Sequence, residues 1–456
     1  MEAAPRESPG STPRTLSWRP RTLTLLVLLA NVAFALYAFS PIYTDHRGVD
    51  SRVFYAAGVM AAAGGSPYDA PGFFAEQDRL FNQPHGYRVG DPGYDYQHTY
   101  ANPPLFTALL REARVVGWPA FFWVVAAASL AMGLLAFELI LRVLAWEERR
   151  LPRLLFLFSS PMIIQAFFGN TSAILLLAWA AGLWLMSRRR ELIGGSVLAF
   201  CWLKPTVGLL VVAALLIAGP GGRRRAAAGF AAGSLLALVI DVALTGPAEL
   251  QSWLHTLFAY GSALTGQAGA YADNINGLAG STAFLLAWLP RVPAIALAAL
   301  AAGALFAWLH LSPRSRDALG DDPQLGLAVA MSVALAFSPY LHFNDLVLAA
   351  FPLLVLASRP LDAVTRGTLV AWGLLLPGRL VILAVLALVL GDARYEPSWW
   401  NWLTAFGGPA GLGSWLTSAL LLAVAVTGLR RRTVGAEAPA RWGPLAPGRR
   451  STPRAQ

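Results

Sequence analysis

PAFFWVVAAASLAMGLLAFELILRVLA, residues 119–145, is apolar along almost its whole length, with Glu138 and Arg142 near its end. Wound as a helix at about 1.5 Å per residue it exceeds the ~30 Å hydrocarbon core of a bilayer. The basic segment EERRLPR follows it, and apolar runs separated by short basic clusters recur along the chain. The 456 residues are 56% hydrophobic and 13% charged, about half the charge of a soluble domain. The pattern predicts an all-α polytopic membrane protein with about 12 (10–13) transmembrane helices.

Spans are expected near 22–42, 119–145, 153–168, 171–187, 225–245, 293–310, 324–338, 345–358, 367–390 and 412–429. Two short halves, 192–203 and 206–220, break at Lys204-Pro205. At 1.5 Å per residue each is short for a full bilayer, so they thin it or enclose a cavity. Residues 103–116 and 278–289 read as interfacial helices, and 246–276 as a second polar loop. The net charge of +10 does not point to nucleic acid, because the arginines cluster between spans and in the tails, where they set topology. Both termini then fall on the cytoplasmic side of a multi-pass cell-membrane protein. Residues 1–20 and the basic 431–456 are disordered tails, and 21–430 form one transmembrane domain. The lone Cys201 excludes an intrachain disulfide, and no metal-ligand motif or cofactor-binding fingerprint is present.

Residues 43–102 form a long external loop. From Ile42 to Asn102 seven acids (Asp45, Asp50, Asp69, Glu76, Asp78, Asp91, Asp95) face only Arg47, Arg52, Arg79 and Arg88. A loop of this length is usually functional, although a solvated acidic loop on the side lacking positive charge reads the same way. On the expected topology, Asp45, Asp50, Asn102, Asn170, Lys204, Asn274, His342 and Asp345 all share the external side. Asp50 has helical spacing to Val53, Phe54 and Ala57, so it is an N-cap or a general base near a helix start, with Asp45 as rival or partner. Lys204 either snorkels or meets a phosphate. His342 and Asp345 make a polar hairpin turn or a ligand contact.

The segments DSRVFYAAG (from Asp50), GGSPYD and ANPPL resemble the opening of glycosyltransferase family 87, the bacterial polyprenyl-phosphate-mannose-dependent alpha-mannosyltransferases. Gly169-Asn170, Lys204-Pro205, the Asn274 loop and SPYLHFND extend the likeness over roughly 20–430. The Asn274-Ile275-Asn276 step and the 69–99 insert depart from the family pattern. The resemblance implies the GT-C membrane fold and a polyprenyl-phosphate sugar donor, most simply mannose. It further implies a lipid or glycan acceptor and inversion at the anomeric carbon on the external face. Asp50 would be the catalytic base. Lys204, His342, Tyr55, Asn170 and Asn274 would bind donor phosphate or sugar, with Asp45, Asp345 and Asn102 secondary. No metal or cofactor is implied, and membrane lipids are the surrounding partners. A lipid or sugar transporter or flippase, and a non-catalytic scaffold, are the alternatives; the charged first loop and the one-sided polar residues speak against transport.

The topology makes the first test. A cysteine replacing Gln77, with Cys201 also replaced, should react with a membrane-impermeant reagent in intact cells; reaction only after permeabilisation would invert the assignment.

Overall fold

The computed structural model describes residues 21–40, 48–88, 97–146, 149–266, 291–311, 322–338, 341–358, 363–374 and 417–425, with a few single positions beside them. Their regular structure is helical. Two helices are long and apolar enough to cross a membrane: α6 (Trp118–Val143) and α12 (Arg223–Thr245). The pair α7 (Arg150–Leu157) and α8 (Ser160–Phe168), bent by 49° at its break, is long and apolar enough only when taken together, as a broken span or a re-entrant loop. Shorter apolar helices surround them: α1 (Arg21–Ala38), α9 (Ser172–Ser187), α10 (Glu191–Val197), α11 (Pro205–Ala218), α14 (Arg291–Leu311), α15 (Pro323–Ala336) and α16 (Ala350–Ala357). The protein is thus all-α and membrane-associated.

Two departures from the sequence reading concern its loops. Residues 246–276 are not a polar loop throughout, because α13 occupies Pro247–Gly266. Its proline sits in the first turn, where no backbone donor is lost, and Trp253 is buried and donates from Nε1 to Ala101 O at 2.9 Å. The stretch after Gly48 is likewise folded, as α2 (Val49–Ala62), α3 (Ala70–Gln77) and a π-turn over Asp78–Asn82. These elements enclose their own core of Val53, Phe54, Tyr55, Phe73, Phe81, Tyr100 and Phe121. The expected helix at 103–116 is two pieces, α4 (Pro104–Leu110) and α5 (Ala113–Val116). Gln77 is 5% exposed, so the topology label belongs instead at the exposed Gln83.

The main core runs through α6, α9, α11, α15 and α16, with Trp146, Trp179 and Phe351 among its largest buried side chains. Packing of α10 against α12 is tighter still. A Cβ on Gly229 would lie 2.0 Å from Leu192 O, and one on Gly195 would lie 1.9 Å from Ala226 O. Membrane helices lack a strong hydrophobic drive toward one another, and close backbone approach over small residues replaces it. Ser196 adds a hydrogen bond from Oγ to Gly229 O at 3.0 Å. Gly229→Val should therefore separate α10 from α12 and lower the melting temperature in detergent by several degrees, whereas Gly303→Ala, where a Cβ meets nothing within 4 Å, should leave it unchanged.

Candidate functional site

The site is assembled where three chain breaks meet. The first follows α8, which ends on Gly169 in the left-handed region at φ +67°. A side chain there would be strained, and its Cβ would also fall 2.8 Å from Ser51 Cβ. Glycine thus lets α2 close on the α8–α9 turn, where Gly48 N–H donates to Phe167 O at 2.9 Å. The second break is at Lys204. Pro205 disfavours helical backbone in the residue before it, and Lys204 is extended (φ −147°, ψ 72°) between a 3-10 segment, Leu198–Leu203, and α11. The third is at His342, which caps the 3-10 turn Phe343–Ala349 in a reciprocal box with Asp345; His342 N–H donates to Asp345 Oδ2 at 2.8 Å.

One hydrogen-bonded chain joins the three. Asp50 Oδ2 accepts from Asn170 Nδ2 at 2.8 Å and from Asn344 Nδ2 at 3.1 Å. Asn170 Oδ1 accepts from Ser172 N–H at 3.0 Å and lies 3.4 Å from Lys204 Nζ. Lys204 Nζ meets Asp345 Oδ1 at 2.7 Å, and the Ser172 hydroxyl donates to the same oxygen. Asp345 is fully buried, while the Lys204 side chain keeps 14% exposure. Asp50, Asn102, Asn170, Lys204 and His342 line one cavity of about 260 Å³, along with His98, Thr206 and Asn344. Among the described residues Asp50 is the only carboxylate in its wall.

The predicted residues divide accordingly. Asp50 is not an N-cap: that position is Gly48, and Asp50 lies in the first turn with no capping hydrogen bond. Asn102 turns its amide to Leu203 O at 3.0 Å, tying the end of the long first segment to the Lys204 break. Tyr55 is not in the cavity wall. It is buried among the rings of Phe81, Trp118 and Phe121, because its helical position points it at the core of the α2–α3 layer. Asp345 lies beneath the wall rather than in it, and Lys204 does not snorkel but pairs with it. Asp45 and Asn274 lie outside the described residues. Asn344, Ser172 and His98 were missed; the first two stand within two residues of a motif position, in HFND and GNTS, and His98 stands three residues before ANPPL. No group of three or more metal-ligating side chains occurs among the described residues.

Burial pushes the Asp50 carboxyl above the ordinary carboxylate range, against the pull of Lys204 and the Asn170 hydrogen bond. Burial first, and the Lys204 charge next, lower His342 to about 4, so its imidazole is neutral near pH 7. Removing a hydrogen bond to the charged form raises an acid's pKa. Asn170→Ala should therefore move the Asp50 titration to still higher pH, read by carbon-13 NMR of labelled protein with Asp50→Asn assigning the signal. An unmoved or lowered midpoint would contradict the geometry.

The family model for Glycosyltransferase family 87 matches residues 100–339, more than half of the chain. That span carries Asn102, Asn170, Ser172 and Lys204, and ends just before His342. No curated protein matches the chain.

Proposed function

The chain belongs to glycosyltransferase family 87, and we propose that it moves a sugar, most simply mannose, from a polyprenyl-phosphate donor to a hydroxyl of a lipid or glycan acceptor. The observation that carries this reading is the Asp50 carboxylate, the only one among the described residues lining a cavity that also holds Lys204. Hydrolytic glycosidases use two carboxyl groups across the scissile bond. A phosphate leaving group needs no acid, so one base is enough. In the proposed step the acceptor oxygen attacks the anomeric carbon as Asp50 takes its proton. The bond from that carbon to the phosphate oxygen breaks, and the polyprenyl phosphate leaves with the electron pair. Attack from the face opposite the leaving group inverts the centre, turning a beta-linked donor into an alpha product.

Lys204 is the cation for the phosphate. Its ammonium has three donors; Asp345 and Asn170 engage two, which leaves one for a ligand. His342, neutral and in the wall, supplies a polar contact to phosphate or sugar. The proposal places this site on the external face of a GT-C fold of about 12 spans, with residues 21–430 as the catalytic unit, the 43–102 segment outside and both termini cytoplasmic.

Asp50→Asn keeps shape and hydrogen-bonding reach but removes basicity. Turnover of polyprenyl-phosphate mannose by the purified protein should fall by roughly 10²-fold or more, the lower range for lost acid–base catalysis, while donor binding persists. Asp45→Asn should lose far less. Full turnover by Asp50→Asn removes the mechanism.

A further inference from the structure

His98 lines the cavity beside Asp50 and has no part in the mechanism above. Its backbone is gripped on both sides by one buried amide. Gln77 Nε2 donates to His98 O at 2.9 Å, and His98 N–H donates to Gln77 Oε1 at 3.1 Å. The next residue, Asp78, accepts from Gln97 Nε2 at 2.9 Å and from the Tyr94 hydroxyl at 3.0 Å. The far end of the same segment is tied by Asn102 to Leu203 O and by Trp253 to Ala101 O. Residues 97–102 are thus fixed at both ends, and His98, Thr99 and Ala101 form part of the cavity wall. A void of about 20 Å³ also touches His98, between it and Arg52, Gln77 and Asn82. His98 therefore stands between the α3 layer and the main cavity.

Burial, with the Arg52 charge behind it, lowers His98 to about 4. A neutral imidazole has one donor nitrogen and one acceptor nitrogen. That suits a sugar hydroxyl, which can accept and donate, and it brings no positive charge to a phosphate anion. His98 shares the cavity wall with Val49, Asp50 and Val53 of α2, and Val49 and Val53 also line the small void beside it. A base must lie within about 3 Å of the hydroxyl it serves, so the acceptor's sugar has to reach the α2 side.

We propose that His98 binds the acceptor, its imidazole hydrogen-bonding a sugar hydroxyl next to the one that Asp50 deprotonates, and that Gln77 is the positioning residue that holds it there. This rests on the transferase reading given above. On this view the long insert of α3 and its π-turn serves acceptor recognition, which the donor chemistry does not require.

The test uses the purified full-length protein, polyprenyl-phosphate mannose as donor and octyl α-mannoside as acceptor probe. His98→Ala should raise the acceptor KM about tenfold, as expected for one lost hydrogen bond, with the donor KM moving less than about twofold. His98→Asn, which retains a donor and an acceptor, should recover part of the loss and serves as the readout if the alanine variant does not fold. Gln77→Leu should give a smaller shift of the same kind. Equal changes in both KM values, or a change in the donor KM alone, overturn the assignment. Wild-type transfer with an unmoved acceptor KM in the His98 variants sinks this inference alone. A wild-type protein that transfers nothing from the donor removes the transferase reading and this inference with it.

Discussion

The buried pair of Lys204 and Asp345 is the contact on which the other polar groups depend. Asp345 receives the ammonium on Oδ1 and the His342 N–H on Oδ2, so both oxygens are spent inside the protein. Asn170 continues the chain from Lys204 to Asp50. Three segments distant in sequence are thereby held to one another: the start of α9, the break before α11 and the turn before α16. Removing one partner of a buried ion pair strands the other charge and costs on the order of 3–5 kcal/mol. Lys204, the phosphate cation of the proposed reading, is therefore a poor place for a clean functional substitution, since its loss would disturb the fold and the chemistry together.

The charge inventory of the site has a mechanistic reading. Asp50 and Asp345 stand against Lys204, so with Asp50 ionised the three groups sum to one negative charge. An anionic phosphate entering beside them disfavours the Asp50 carboxylate further and raises its pKa again. On the proposed reading, the donor would thus strengthen the base that acts upon the acceptor. The same repulsion penalises the donor, and the third Lys204 donor and the polar wall would have to offset it.

Much of this was legible in the sequence because membrane helices announce themselves by length and apolarity, and because breakers mark the site. Gly169, Pro205 and the HFND turn are local signals, and each lies at one of the chain breaks. Asn170, Lys204 and His342 could be singled out as isolated polar residues at such breaks, and Asp50 as a carboxylate near a helix start. What could not be read was direction. Tyr55 lies on the same short helix as Asp50, yet the turn of the helix carries it into an aromatic core. Asn344 and Asp345 are adjacent, yet one reaches the Asp50 carboxylate and the other sits sealed beneath Lys204. Helicity in 247–266 was obscured by its polar residues, and the contacts that hold it, such as the Trp253 hydrogen bond to the Ala101 carbonyl, come from far along the chain. The glycine contacts of α10 with α12 are equally silent in a sequence, because they depend on which faces meet.

The half-helix that ends at Lys204 has a further consequence. From Glu191 to Leu203 it contains seven α-helical and six 3-10 residues, a reach of about 22 Å at roughly 1.5 and 2.0 Å per residue. The 3-10 winding lengthens it by about 3 Å over an α-helix of the same residues. It still falls about 8 Å short of a ~30 Å hydrocarbon core. With Arg188–Arg190 anchored at the cytoplasmic headgroups, as the proposed topology has it, Lys204 lies below the opposite headgroup plane. Hydrophobic mismatch of this size is met by local thinning at fractions of a kcal/mol per Å. Catalysis by such a protein would then be sensitive to acyl-chain length in the surrounding bilayer, with the lipid thickness setting how far a carrier phosphate must sink to reach its cation.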